Sequence, residues 1–180
     1  MARFRRSPQL PDDVRARLDL VRGDKVLGIG ELVDGWAVAT TRALHVVPAP
    51  APAPDGGAHP GQAAFRRPWA DVDHAGLDAE AATLSVTWVD GSEPTVLHLA
   101  DVTSVELSRA VHGQVQSSVV HSEKVTLTDG TVVRVALRRT ADGEIISQVI
   151  GPGTVDLGDP TTAGLVDAAE ARVREAAGLR

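Results

Sequence analysis

Residues 24–47, DKVLGIGELVDGWAVATTRALHVV, decide the fold of the first half of the chain. Asp34-Gly35 separates two apolar segments, and this dipeptide is a strong hairpin signal because glycine, and to a lesser degree aspartate, tolerates a positive φ angle. A second short turn follows the return strand and leads into a third apolar segment. Gly28 and Gly30 predict a bulge or bend in the first strand. The stretch therefore predicts three antiparallel strands.

Within residues 35–47 the pattern GWxVATxxxLxVV resembles the second and third strands of bacterial PH-like and GRAM-like domains. The PWxxV segment at residues 68–72 and a predicted hairpin at residues 83–99 fall where that family has its next strands. The resemblance covers residues 24–118. It implies an α+β fold in which a strongly bent antiparallel sheet forms a split barrel and a helix closes its open end.

The composition is that of a globular protein with one domain, or one domain and a small appendage, at 180 residues. The formal net charge of −6 disfavours nucleic acids and anionic membranes as partners. With no Tyr, two Phe and three Trp, the chain lacks the aromatic platforms that stack nucleic-acid bases.

The residue usage also bears on the compartment. The chain has no Cys, which removes disulfides, thiolate nucleophiles and Cys-based zinc sites and fits a reducing cytoplasm. No long apolar run follows the N-terminal arginines, so we expect neither a signal peptide nor a membrane span. The abundance of Ala, Val and Arg, with Lys only at positions 25 and 124, resembles the composition of high-GC actinobacterial proteins.

We divide the chain into an N-terminal helical arm (residues 1–23), a barrel (residues 24–118) and a C-terminal extension (residues 119–180). The arm contains a predicted helix at residues 7–22, because its apolar residues recur at helical spacing. That stripe consists of Leu10, Val14, Leu18 and Val21. Within the barrel, the Pro- and Ala-rich residues 48–64 predict an extended loop.

The second half of the barrel is predicted to hold three more strands and a helix. The strands are residues 65–75, 81–89 and 94–99. The helix is residues 100–118, although several of its residues are poor helix formers. Its apolar residues near helical spacing are Val102, Leu107, Val111 and Val115.

The extension begins with a hairpin around Asp129-Gly130, and its register can be deduced from its pattern. A two-residue loop pairs Val125 with Arg134 and mixes core and surface residues on each face. A three-residue loop with Gly130 in the left-handed region pairs Val125 with Val133 and leaves one face apolar. Since register follows the buried face, we predict the three-residue loop, a type I turn with a G1 bulge.

A further strand and a final helix complete the extension. The strand is predicted at residues 144–150. Asp159 is the expected N-cap of the helix, Pro160 lies at its start and Gly178 ends it. Its predicted inner stripe is Leu165, Ala169, Val173 and Ala176.

Three motifs suggest chemistry, and each has a plainer interpretation. Residues 28–33, GIGELV, begin like a dinucleotide fingerprint, but the third glycine and the following helix are missing. Residues 69–74, WADVDH, place Asp71, Asp73 and His74 together. On a strand both carboxylates share the face of Trp69 while His74 points the other way, so the three could converge only if the strand broke. The plainer interpretation is a solvent-facing pair of carboxylates, and the alternative is a weak hard-cation site at Asp71 and Asp73. The Arg138-Arg139 pair is typical of a solvated strand end.

We therefore predict no catalytic residues, no metal and no cofactor, because no histidine spacing supports a zinc site and no strained GxSxG elbow is present. The leading hypothesis is a non-catalytic protein-interaction or scaffold module of a bacterial cytoplasm. It binds a protein partner, or a second copy of itself, through a sheet edge or the groove beside the helix.

The candidate binding residues are Trp36, Arg66, Arg67 and Trp69, since exposed Trp and Arg are typical anchors. The alternative is that both tryptophans belong to the core. Two other functions stay open. One is a binder of a small apolar ligand or lipid in the barrel interior. The other is a hydrolase that uses Asp71, Asp73 and His74, with His112 as a further candidate.

Overall fold

The computed structural model describes residues 9–18, 20–49, 64–101, 105–153 and 155–179. Within these residues the helices are α1 (Asp12–Arg17), α2 (Val105–Ser118) and α3 (Pro160–Ala176). The strands are β1 (Val26–Leu32), β2 (Gly35–Thr40), β3 (Ala43–Pro48), β4 (Phe65–Pro68), β5 (Val72–Asp78), β6 (Thr83–Trp88), β7 (Thr95–His98), β8 (Val119–Thr126), β9 (Val132–Arg139) and β10 (Ile145–Ile150).

The strands form three antiparallel sheets, which confirms the α+β class. The first sheet has the order β1-β2-β3-β4, the second β5-β6-β7 and the third β10-β9-β8. The first seven strands thus form two sheets, and the described residues contain no closed barrel. A bridge between Leu32 and Leu99 joins the first sheet to the second, and the Val33 N–H donates to the His98 carbonyl at 2.9 Å.

The three strands predicted within residues 24–47 are present, and the bulge in β1 lies between Val26 and Gly28. The hairpin loop lies one residue earlier than the Asp34-Gly35 signal indicates, because Leu32 pairs with Gly35. Gly35 is required for a different reason. A Cβ atom there would lie 2.4 Å from the Val47 carbonyl oxygen, so only glycine lets β3 approach so closely.

The two glycines of β1 let α2 lie directly on the strand. A Cβ atom on Gly28 would lie 2.6 Å from the Glu106 carbonyl oxygen, and one on Gly30 would lie 2.6 Å from Leu107 Cδ2. The predicted inner residues of α2 are buried between the first two sheets: Leu107, Val111 and Val115. Val102, the fourth residue of that stripe, lies outside the described residues, as do residues 50–63 of the predicted loop.

The N-terminal helix is much shorter than predicted. It spans six residues, Asp12–Arg17, and Leu18 is already extended with ψ 121°. Leu10, Val14 and Leu18 are buried against β2 and β3 as the stripe predicts, whereas Val21 is exposed. The helix ends before Leu18, which is buried in an extended conformation. A longer helix would need core contacts from Val21 to stabilise it, and Val21 is exposed.

The single strand predicted at residues 65–75 is wrong. β4 ends at Pro68, a 3₁₀ turn follows at Trp69–Asp71, and β5 then enters the second sheet. Pro68 has no N–H to continue the ladder of the first sheet. The buried Trp69 indole donates to the Thr40 carbonyl at 2.9 Å and fixes the turn in place. The chain thus changes sheets where the sequence pattern continues without a break.

The register predicted for the β8–β9 hairpin is confirmed. Val125 pairs with Val133. The Leu127 N–H donates to the Thr131 carbonyl at 2.8 Å, and Gly130 has φ +84°. The apolar face that determined this register is buried in a second core cluster beneath α3.

Helix α3 begins and ends where predicted. The Asp159 carboxylate caps it by accepting the Thr162 N–H at 2.8 Å, and this bond lowers the pKa of Asp159. Pro160 is the first residue and Gly178 has φ +72°. The inner face was predicted in part: Ala169 and Val173 are buried with Val166, while Ala176 is exposed. The division of the chain at residue 118 stays a prediction.

A pair of glycine substitutions tests the close approach of α2 to β1. We expect Gly28→Ala to lower the free energy of unfolding by about 1–3 kcal/mol, because the new methyl group meets helix backbone. The matched control is Gly113→Ala within α2, where a Cβ atom meets nothing within 4 Å. It should raise the free energy of unfolding by about 0.5–1 kcal/mol. Denaturant titration measures both, and equal stability of the two variants contradicts the packing described.

Candidate functional site

The structure does not place the four predicted binding residues on one surface. Trp69 is only 4% exposed and belongs to the core, so the prediction of an exposed Trp69 is wrong. Trp36 is half-buried and packs against the cluster beneath α1. Arg66 is exposed on β4, whereas Arg67 is engaged with the β6–β7 hairpin. The alternative that the tryptophans serve the core holds for Trp69.

Arg67 packs over a tryptophan that the sequence did not single out. Its Cζ atom lies 4.2 Å from the centre of the Trp88 ring, a cation–π contact, and its guanidinium also binds Asp90. Asp90 accepts the Ser92 hydroxyl at 2.6 Å and the Ser92 N–H at 3.0 Å. These bonds from Ser92, with that from Arg67, lower the pKa of Asp90 to about 2.

The Asp71, Asp73 and His74 group is split by the change of sheet. Asp71 ends the 3₁₀ turn, and Asp73 turns toward the third sheet, where it binds Arg134 and Arg138. The interpretation of Asp71 and Asp73 as a solvent-facing pair is therefore wrong for Asp73, because two guanidinium groups hold it.

Three of the four residues of the hydrolase hypothesis lie near one another. A cavity of about 390 Å³ between β5 and α2 is lined by Asp73, His74 and His112. Both histidines are exposed. Asp73 Oδ1 is already engaged in the fold, because it accepts hydrogen bonds from both Arg134 and Arg138. Among the described residues no group of three His, Asp or Glu side chains is arranged to hold a metal ion.

Arg138 links the third sheet to the first half of the chain by hydrogen bonds and an ion pair. The side chain is 1% exposed, so the interpretation of Arg138 as a solvated strand end is wrong. Its Nη1 donates to the Val72 carbonyl at 2.8 Å and to Ser118 Oγ at 2.9 Å, while Nη2 lies 3.5 Å from Asp73 Oδ1. Burial lowers the pKa of Arg138, and the Asp73 carboxylate opposes that shift.

The two faces of the third sheet have different partners. Val133, Val135 and Leu137 of β9 face α3 in an apolar cluster. The alternate residues of β9 face the first half of the chain, and two of them bind Asp73. On β10 the Gln148 amide donates to the Ala70 carbonyl at 3.1 Å on that same side. Strand β9 is therefore covered on both faces, although its sequence shows arginines on one of them.

A groove with a volume of about 530 Å³ lies between the β6–β7 turn and the third sheet. Its charged walls come from Asp73, Lys124 and Arg134. Its apolar walls include Trp88, Ile150 and Pro152. Because Ile150 is the last residue of β10, the groove adjoins one end of that strand.

Hydrogen-bond parity decides which backbone groups of β10 face outward. At the β9–β10 turn the Thr140 N–H donates to the Glu144 carbonyl at 2.8 Å. Bonded pairs alternate along an antiparallel ladder. The following β10 residues that bond to β9 are thus Ile146, Gln148 and Ile150. Those whose N–H and C=O groups point to the outer side, here called the open edge, are Ile145, Ser147 and Val149.

The open edge differs from the other sheet edges of the described chain. Natural sheets protect edges with charges, prolines, bulges or short length. β1, β5 and β8 contain register shifts, β4 contains two arginines and a proline, and β7 has four residues. β10 has six half-buried residues, IISQVI, with no charge, no proline and a regular register. Sequence reasoning found this strand but had no signal for its place at the edge.

A double-mutant cycle tests the contact between Arg138 and Asp73. We expect Asp73→Ala to lower the free energy of unfolding by about 3 kcal/mol, because it leaves a buried guanidinium without its carboxylate. The double variant Asp73→Ala with Arg138→Met should recover most of that loss, since no buried charge remains. Denaturant titration of the single and double variants measures the coupling, and strictly additive losses contradict it.

The pKa of Asp90 predicts how its contribution to stability depends on pH. Folding lowers this pKa from 3.8 to about 2, so the contribution is complete above pH 3.8 and is lost as the pH falls through about 2. The carboxyl resonance of Asp90 should titrate near 2 in the wild type and closer to 3.8 in Ser92→Ala. Ser92→Thr, which keeps the hydroxyl group, is the control and should titrate like the wild type. A wild-type midpoint at the ordinary value contradicts the assignment.

The described residues thus offer an arginine-held carboxylate, a groove with mixed walls and the open edge of β10. None of the helices among them combines the length and apolarity needed to cross a membrane. Comparisons with protein-family models, curated proteins and solved structures found no match for this chain.

Proposed function

We propose that this chain is a non-catalytic protein-interaction module of a bacterial cytoplasm, and that it binds an extended polypeptide strand along the open edge of β10. The observation that carries the proposal is the edge itself. Its outward N–H and C=O groups are aligned along an uncharged, unbulged strand. Such an edge is a template on which a further strand adds by main-chain hydrogen bonds.

The surroundings of the edge support a bound strand. The groove beside Ile150 supplies apolar contact from Pro152 and Trp88 and a cationic side chain from Lys124. Main-chain bonds along β10 give affinity, and side-chain contacts in the adjoining groove give specificity. This combination suits an extended peptide better than a compact small molecule, because the strand and the groove continue one another.

A non-catalytic role is supported by the arrangement of the titratable groups. Asp73, His74 and His112 line the same cavity. The Oδ1 atom of Asp73 accepts hydrogen bonds from the guanidinium groups of Arg134 and Arg138. A general base must reach the proton that it takes with a free lone pair. An atom that accepts two charge-assisted hydrogen bonds is poorly suited to that task.

We further propose that the first two sheets and α2 form a PH-like unit, as the sequence resemblance implies. The order of the elements supports this: a sheet of β1 to β4, a sheet of β5 to β7, and then a helix packed across β1. In this proposal the third sheet and α3 are an addition to that unit, and the addition carries the binding edge.

Selection from a phage library of random dodecamer peptides tests the proposal. The immobilised full chain should enrich peptides with alternating β-branched residues. Their binding should be lost in Ser147→Pro, which removes an outward N–H while leaving the bonds to β9 in place. Ser147→Thr, which keeps that N–H, is the matched control and should bind like the wild type. Failure of the monomeric chain to enrich any peptide, or equal binding to Ser147→Pro, contradicts the proposal.

A further inference from the structure

We infer that the strand bound at the open edge is β10 of a second copy of this chain, paired antiparallel about a two-fold axis at Ser147. This inference rests on the proposed function and names its partner. The partner follows from the symmetry of the edge, from its cross-strand pairs and from the charges at its ends.

The outward backbone groups of β10 are complementary to themselves. Ile145, Ser147 and Val149 point outward and are spaced evenly about Ser147. A two-fold axis through Ser147 places Ser147 opposite its own copy and Ile145 opposite Val149. Each of these residues offers one N–H and one C=O. The boundary between the two β10 strands, here called the seam, therefore holds about six main-chain hydrogen bonds and leaves no outward group of β10 unpaired.

The side chains at this seam match as well. The same three residues face α3, and Ile145 and Val149 pack against the cluster beneath that helix. Pairing about Ser147 places Ile145 of each copy beside Val149 of the other, and such β-branched cross-strand pairs stabilise a sheet. The two-fold axis is perpendicular to the sheet, so both copies of α3 lie on one face of a six-stranded sheet. The apolar layer beneath them is then continuous.

The charges at the ends of β10 agree with this pairing. The strand itself is uncharged, so self-association places no like charges directly opposite one another at the seam. Glu144 immediately precedes the strand, and pairing about Ser147 places it opposite Ile150 of the other copy. Ile150 in turn pairs with Arg134, which pairs with Lys124. Arg134 is already paired with Asp73, so Lys124 supplies the cationic charge on the side of the sheet that Glu144 of the other copy approaches.

Sedimentation equilibrium of the full chain, with wild type, Ser147→Pro and Ser147→Thr compared, tests the inference. We expect a dimer whose dissociation constant rises about a hundredfold in Ser147→Pro, because two bonds at the axis are lost. Ser147→Thr should dimerise like the wild type. If Ser147→Pro does not fold, Ser147→Lys replaces it, since a lysine opposite its own copy also opposes pairing. A dimer that neither variant weakens overturns the inference.

Two further results separate this inference from the proposed function. A chain that is monomeric at all concentrations but still binds selected peptides at β10 overturns the second copy as partner and leaves the proposed function standing. A monomer that binds no peptide overturns both.

The position of the axis has its own test. The chain has no native Cys, so Ser147→Cys introduces a single thiol at the axis. A short bismaleimide should crosslink it between copies, while the control Gly113→Cys on α2 should not crosslink. Equal crosslinking of the two variants overturns the register.

Discussion

The buried guanidinium of Arg138 is the contact on which the arrangement of the two halves depends. A three-stranded sheet with one helix normally leaves one face to solvent. Here that face carries Arg138, whose donors reach a backbone carbonyl of β5, a hydroxyl at the end of α2 and the Asp73 carboxylate. A charge buried this deeply is tolerated only when acceptors and an opposite charge compensate it, and Nη1 and Nη2 find both, although Nε has no partner among the described residues. The position of the third sheet is therefore tied to β5 and α2.

That anchoring also explains which strand is left open. Arg138 and Arg134 lie on β9, the middle strand, and hold it to the first half of the chain. On the other side, the Glu123 carboxylate of β8 binds Arg172 of α3, so the helix lies over β8 and β9. β10 is attached through β9, through the Gln148 amide and through Ile145 and Val149, which pack against the cluster beneath α3. Among the described strands of the third sheet, the edge strand farther from these ion pairs is the one with an uncharged and regular edge.

Sequence periodicity predicted the parts of the fold in which one face is buried and the other is not. The pairing of Val125 with Val133 could be deduced because a shift by one residue would expose the apolar face. Periodicity did not reveal that the chain leaves one sheet for another at Pro68, since an extended segment has the same pattern on both sides of such a change. The end of α1 was missed because Val21 fits the helical spacing but makes no core contact.

The candidate site was predicted less well, for a related reason. The prediction of a solvated Arg138 is wrong because two adjacent arginines are typical of an exposed strand end. The burial of Arg138 depends on Val72 and Asp73, which are distant in the sequence. Trp69 was offered as an anchor, but whether a tryptophan is exposed depends on what the fold places over it. A sheet edge was expected to bind a partner. The sequence could not indicate which edge, because strand order is a property of the assembled sheet.

Amide hydrogen exchange along β10 tests the central claim most directly. The claim is that this strand is hydrogen-bonded to β9 on one side and open on the other. In dilute solution the amides of Ile146, Gln148 and Ile150 should be protected by their bonds to β9. Those of Ile145, Ser147 and Val149 should exchange quickly. Protection of all six amides in the monomeric chain, or the opposite alternation, would contradict the account.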